Sequence, residues 1–202
     1  VPFLVEPFGD AALRVALPEG VDARALLAAL RATPGVIDAI VAERHAVVTF
    51  DPSRPPADID VVVDRAAVRT GHEGARRHVI AVRYDGCDLG ELAASVGMDR
   101  REVADLHSAP EYRVVAVGFL PGFAYLRGLD ARLIVPRRAS PRTRVEPGSV
   151  AIGGPYTGVY PFASPGGWNV VGSAVGFAAF DAERGATLAL GDAVRFVEVR
   201  DG

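Results

Sequence analysis

The chain has 202 residues, half of them apolar, enough for one large core or two small ones. Its net charge of −3 lacks the basic excess with which nucleic-acid binders neutralise phosphate, so proteins and small molecules are the expected partners. All 22 basic residues are arginine, which excludes a Schiff-base lysine and a P-loop lysine.

The chain opens on VPFLVEPFGD, which has no basic flank leading into an apolar stretch, so no secretory leader is expected and a cytoplasmic location is. The longest nearly apolar run, Val114 to Leu126, is broken by Pro121 and falls short of the ~20 residues of a spanning helix. No membrane association is expected. From Phe3 to about Arg69 strand-like and helix-like runs alternate: FLVEPF, AALRVAL, VDARALLAALRAT, VIDAIVAE, HAVVTF and IDVVVDRAAV. In the third, Ala23, Leu26, Leu27 and Leu30 recur at helical spacing behind Asp22, an N-cap residue. Thr33-Pro34-Gly35 ends it. This half predicts a small α+β domain over residues 1–76, with a sheet carrying helices on one face. The polar run TGHEGARR, Thr70 to Arg77, reads as a linker.

The second half, residues 77–202, begins with the strand HVIAVRY. Two short helices follow, signalled by Asp88 before Glu91 and by Asp99 before Glu102, the capping-box spacing. His107 ends the second of these. After Tyr112, short β-like runs (YRVVAVG, RLIV, SVAIGG, TGVY, WNVVG, FAAF, VRFVEV) alternate with Gly and Pro, which predicts a mainly-β barrel or sandwich. One cysteine, Cys87, and four scattered histidines give neither a disulfide nor metal-ligand spacing, so no metal is expected. His45, His72 and His78 carry no functional context.

Between Val117 and Gly172, glycines and prolines stiffen the loops around Phe119, Phe123, Tyr125, Tyr160 and Trp168, which predicts a shaped, partly apolar cleft. Within it, residues 127–144 hold six arginines against one acid, Asp130, a patch that prefers an anion. The prolines of PRRASPR restrict the backbone that carries them. GGPYTG is too loose for a phosphate loop.

The segments VGFLPGFAYLRGLD, VPRRASPRTRVEPGSVAIGG and YPFASPGGWNVVG resemble the signature of the family variously called the 5-oxoprolinase B subunit, allophanate hydrolase subunit 1 or KipI. Supporting similarity runs through FGDAALRV, the segment YDGCDLGELAASVGMDRREVADLHSAPEYRV and LALGDAVRFVEV, and so covers nearly the whole chain. Cys87 stands in DGCDL where the family more often has Gly-Pro. The resemblance implies a cyclophilin-like β-barrel behind the small α/β domain. It implies a hydrolase subunit that works with a related C subunit and an A subunit, using ATP to open the lactam 5-oxoproline to glutamate. ATP is held by this chain or by the complex as a whole. The alternative within the family is a regulator that binds and inhibits a sensor histidine kinase.

For that reaction Arg137, Arg138 and Arg142 are the expected clamp for phosphate or the substrate carboxylate. Tyr160, Trp168 and Phe123 are the expected apolar wall for a flat ring. His107 is the candidate general acid or base, with helix capping as its structural alternative.

Overall fold

The computed structural model describes residues 4–17, 21–57, 59–67 and 74–199. The chain divides into two compact units, Val1–Gly74 and Ala75–Gly202. Of the predicted linker TGHEGARR, Thr70 to Glu73 lie outside the described residues, as does His72 among the histidines without a role.

In the first unit β1 (Val5–Pro7), β2 (Ala12–Ala16), β3 (Val36–Val41) and β4 (His45–Phe50) form an antiparallel sheet in the order β1-β2-β4-β3. Helix α1 (Ala23–Arg31) packs on β3 and on α2 (Ile59–Ala67). The Asp22 side chain accepts from the backbone N–H groups of Arg24 and Ala25, and α1 buries Leu26 and Leu30. These are the cap and the face that the helical spacing of apolar residues dictates. IDVVVDRAAV, undecided between strand and helix from its apolar run alone, is the helix α2.

The second unit is a closed barrel of seven strands, β5 (Arg77–Arg83), β6 (Glu111–Val117), β7 (Ala124–Arg127), β9 (Ser149–Gly153), β10 (Tyr156–Val159), β12 (Asn169–Val175) and β15 (Ala193–Glu198). Strand directions cannot alternate all the way round a ring with an odd number of members. One neighbouring pair must be parallel, and it is β15 with β5, in register from Ala193 opposite Arg77 to Glu198 opposite Val82. The other barrel pairs are antiparallel. Two ribbons lie outside the ring: β8 (Arg142–Val145) with β11 (Ser164–Gly166), and β13 (Phe180–Asp181) with β14 (Gly185–Ala186).

Between β5 and β6 come α3 (Leu89–Ser95) and α4 (Arg100–Ser108), which pack on β12 and β15 respectively. Leu89, Leu92 and Val103 join Ile80, Val114, Leu126, Ile152 and Phe196 in the main core. The predicted capping box of α4 is complete, with the Asp99 carboxylate accepting from Glu102 N–H and the Glu102 carboxylate from Asp99 N–H. At α3 the same signal misleads: Asp88 stands at the N-cap with no capping bond from its side chain. RLIV is likewise no strand. The Asp130 carboxylate accepts the Arg132 N–H and starts a 3-10 turn over Ala131–Leu133, leaving only Val135 to bridge Gly154. FAAF contributes only the edge residue Phe180 to β13.

A second cluster, Phe123, Val145, Ala151, Tyr160, Trp168 and Val170, fills one side of the barrel with rings. Their density depends on missing side chains. A Cβ on Gly153 would lie 2.5 Å from a Trp168 ring carbon, and one on Gly158 2.7 Å from the Ala124 carbonyl. Gly153→Ala is therefore expected to destabilise the protein by about 1–3 kcal/mol through overpacking. Urea unfolding followed by the fluorescence of Trp168, the only tryptophan, measures it.

Candidate active site

The segment 135–141 crosses the ends of β9 and β12 and is stitched to both. Gly154 N–H donates to the Val135 carbonyl, Arg138 N–H donates to the Gly167 carbonyl at 2.7 Å, and Asn169 Nδ2 donates to the Pro136 carbonyl at 3.0 Å. With its ends fixed, the segment places its arginines on opposite duties.

Arg138 and Arg142 converge on Asp88. Arg138 Nη1 donates to Asp88 Oδ1 at 2.7 Å, Arg142 Nη1 donates to Oδ2 at 2.7 Å, and Arg142 Nη2 also donates to Oδ1. The backbone N–H of Val170 gives Oδ2 a further bond at 2.8 Å. Asp88 is 2% exposed, and a carboxylate so deeply placed is stable only with such a set of charged donors. The carboxylate in turn holds the Arg142 guanidinium above its ordinary pKa. Glu91 lies 3.3 Å from Arg138 Nη1 and balances the remaining charge. The expected external clamp of Arg137, Arg138 and Arg142 is thus corrected at two of its three members: the anion they grip is the protein's own.

The same holds for most of the basic patch. Arg132 pairs with Asp130, Arg144 pairs with Glu146, and Arg127 lies over the Tyr156 ring at 5.6 Å. Counting acids only within residues 127–144 missed Asp88, Glu91 and Glu146, which the fold or the adjoining turn supplies. Arg137 has no ion pair among the described residues, and it is exposed.

Arg137 stands at the rim of a cleft of about 190 Å³ walled by Phe119, Phe123, Tyr125, Tyr160 and Trp168. Phe123 meets Tyr160 and Trp168 edge-to-face, each at 5.2 Å between ring centroids, and Tyr125 meets Trp168 in the same way at 5.6 Å. Such contacts set positive ring edges against negative ring faces and fix the shape of the wall. Pro141 and Pro165 close its sides. Burial raises the Tyr160 phenol above its ordinary pKa, against the opposing effects of the hydrogen bond it accepts from the Trp168 backbone and of Arg137 and Arg142, so near neutrality it remains protonated and able to donate. On its other side Arg137 borders a second hollow of about 470 Å³, whose lining includes Glu91, Ser95, Arg138, Ser140 and Asn169. Tyr160, Trp168 and Arg137 are thus brought together. Cys87 is exposed, and among the described residues no group of three His, Cys, Asp or Glu could hold a metal ion.

His107 is elsewhere. It is fully buried, stacked on Phe196 at 4.7 Å, with Nδ1 2.7 Å from Tyr84 Oη and Nε2 2.8 Å from Thr157 Oγ1. Thr157 Oγ1 donates its own hydrogen to the Ala151 carbonyl, so Nε2 carries the proton and Nδ1 accepts from Tyr84. Desolvation pushes the imidazole pKa down to about 3. Neither ring nitrogen caps the helix and neither is free to exchange a proton with a substrate. The expected acid-base role is replaced by an internal hydrogen-bond relay joining Tyr84, just after β5, to α4 and β10.

The geometry defines the class first: a seven-stranded closed barrel with a small aromatic cleft and one arginine at its rim that no internal acid holds. A family model described as "Carboxyltransferase domain, subdomain C and D" matches residues 3–190, and the chain belongs to that family. It is similar to the 5-oxoprolinase B subunit of Bacillus subtilis, 33% identical over the whole of this chain and 95% of that one. It is 49% identical to the 5-oxoprolinase B subunit of Escherichia coli O157:H7 over 61% of this chain and 58% of the relative. That match, like the one to the Haemophilus influenzae relative at 59% of its length, spans little more than half of the curated protein. Among solved structures, TTHA0988 aligns with a TM-score of 0.81 and 37% identity over 98% of this chain and 41% of its own.

For a buried neutral imidazole, protonation favours the unfolded chain. The stability it contributes is complete above the unfolded value of 6.5 and is lost as pH falls toward about 3. Between pH 7 and pH 5 the protein is expected to lose about 2 kcal/mol by this route. His107→Asn, less stable at pH 7, should show a flatter dependence in urea unfolding; equal slopes would contradict the relay.

Proposed function

We propose that this chain is the B subunit of an ATP-dependent 5-oxoprolinase, a cyclic-amide hydrolase that acts with A and C subunits to open 5-oxoproline to glutamate. The observation that carries this reading is the pairing of Arg137 with a small ring-walled cleft. A five-membered lactam bearing one carboxylate needs a flat apolar slot, a single cation and a hydrogen-bond donor for its carbonyl. Trp168 and Phe123 supply the slot, Arg137 the cation and the protonated Tyr160 the donor. Similarity to B subunits of 5-oxoprolinase supports the same substrate.

The residues do not fit a nucleotide triphosphate. Its charge calls for several cations or a glycine-rich loop with lysine, and this chain has no lysine, while Arg138 and Arg142 are already committed to Asp88. ATP binding is therefore assigned to the partner subunits. The role left to this chain is to bind and orient the lactam: Arg137 holds the carboxylate, Tyr160 stabilises charge growing on the amide oxygen, and the ring walls exclude water.

The test is co-purification with the C subunit and assay with the A subunit, ATP and 5-oxoproline. Arg137→Ala is expected to lower kcat/KM by about 10-fold or more, the loss of one charge-assisted hydrogen bond, with the melting temperature unchanged. A stable complex that turns over no 5-oxoproline, or an Arg137→Ala complex as active as the wild type, would overturn the reading.

A further inference from the structure

The loop Gly118 to Phe123 is a strongly specified turn. Phe123 N–H donates to the Leu120 carbonyl at 3.0 Å, Pro121 fixes the first corner, and Gly122 takes the second at φ 81°. Gly122 is also required by space, since a Cβ there would meet the Ala179 carbonyl at 2.6 Å.

Phe119, just before this turn, obeys neither rule. It is the one described non-glycine residue with positive φ, 73°. A bulky L-residue there is strained, and the strain is not offset by burial because the side chain is 62% exposed. Glycine would hold the same backbone without strain, so what phenylalanine adds is its ring. That ring stands at the cleft, edge-to-face with Phe123 at 5.6 Å and 84°, on the rim shared with Arg137. Trp168, deeper in, is only 5% exposed.

We propose that Phe119 is the specificity wall of the aromatic cleft: its ring narrows the mouth so that only flat, compact rings reach Trp168 while their carboxylate meets Arg137 at the rim, and it screens Trp168 from water. The inference rests on the cleft being the substrate site. The backbone strain is the cost of holding a ring where the site needs one, and bound ligand supplies the second face that the exposed ring lacks in the free protein.

Three readouts on the full chain test it, each with Phe119→Gly and Phe119→Ala beside the wild type. Trp168, as the only tryptophan, reports on the cleft directly. Quenching of its fluorescence by acrylamide, a neutral probe that needs no ligand, is expected to rise in both variants. Phe119→Gly should melt about 2–4 °C above Phe119→Ala, because glycine relieves the strain that alanine retains. Titration with 5-oxoproline should show affinity about 10-fold weaker in both variants. The bulkier indole-2-carboxylate should bind the variants better than it binds the wild type. Unchanged quenching together with unchanged discrimination between the two carboxylates would overturn the wall. A wild type that ignores 5-oxoproline, while quenching rises in the variants and they gain the bulkier acid, would sink the lactam reading and leave the wall standing.

Discussion

A buried carboxylate needs compensating donors, and Asp88 recruits them from three parts of the chain: Arg138 of the segment 135–141, Arg142 at the start of β8, and the backbone of β12 at Val170. Removing any one donor leaves charge in a low-dielectric site, so the three elements are held together more tightly than apolar contact would hold them. The consequence reaches the surface. With Arg138 turned inward, its neighbour Arg137 faces the other way, between two hollows and beside the ring wall. The division of the arginines into two that pair with an internal carboxylate and one that does not follows from a single acid.

The barrel provides the second condition. Its aromatic cluster is dense because glycines stand where side chains would collide with rings, and Gly153 under Trp168 is the clearest case. Rings held edge-to-face keep their wall without a ligand, so under the proposed function a small flat substrate would meet a preformed slot and lose little binding energy to reorganisation. His107, buried in a closed set of hydrogen bonds, belongs to this rigidity. Its ring nitrogens are both engaged within that relay.

Much of this was legible in the sequence, for identifiable reasons. The α1 face and cap, the capping box of α4, and strands such as SVAIGG, TGVY and VRFVEV follow from local periodicity and turn residues. The aromatics of the cleft could be picked out because Gly and Pro crowd around them. What local reading could not supply was pairing over distance. Asp88 and Arg142 are 54 residues apart, and an Asp three residues before a Glu looks like a cap whether or not its carboxylate is diverted. His107 stands at a helix end in the sequence. Residues distant in sequence, Thr157 of β10 50 positions away and Phe196 of β15, show that its ring points into the core.

The division of the arginines is tested most directly by a double-mutant cycle between Asp88→Asn and Arg142→Gln, read by urea unfolding of the full chain. A coupling of about 1.5–3 kcal/mol is expected if Arg142 is committed to the internal carboxylate. Additive effects of the two substitutions, with Arg142→Gln leaving stability intact and abolishing 5-oxoproline binding, would contradict it and return Arg142 to the ligand.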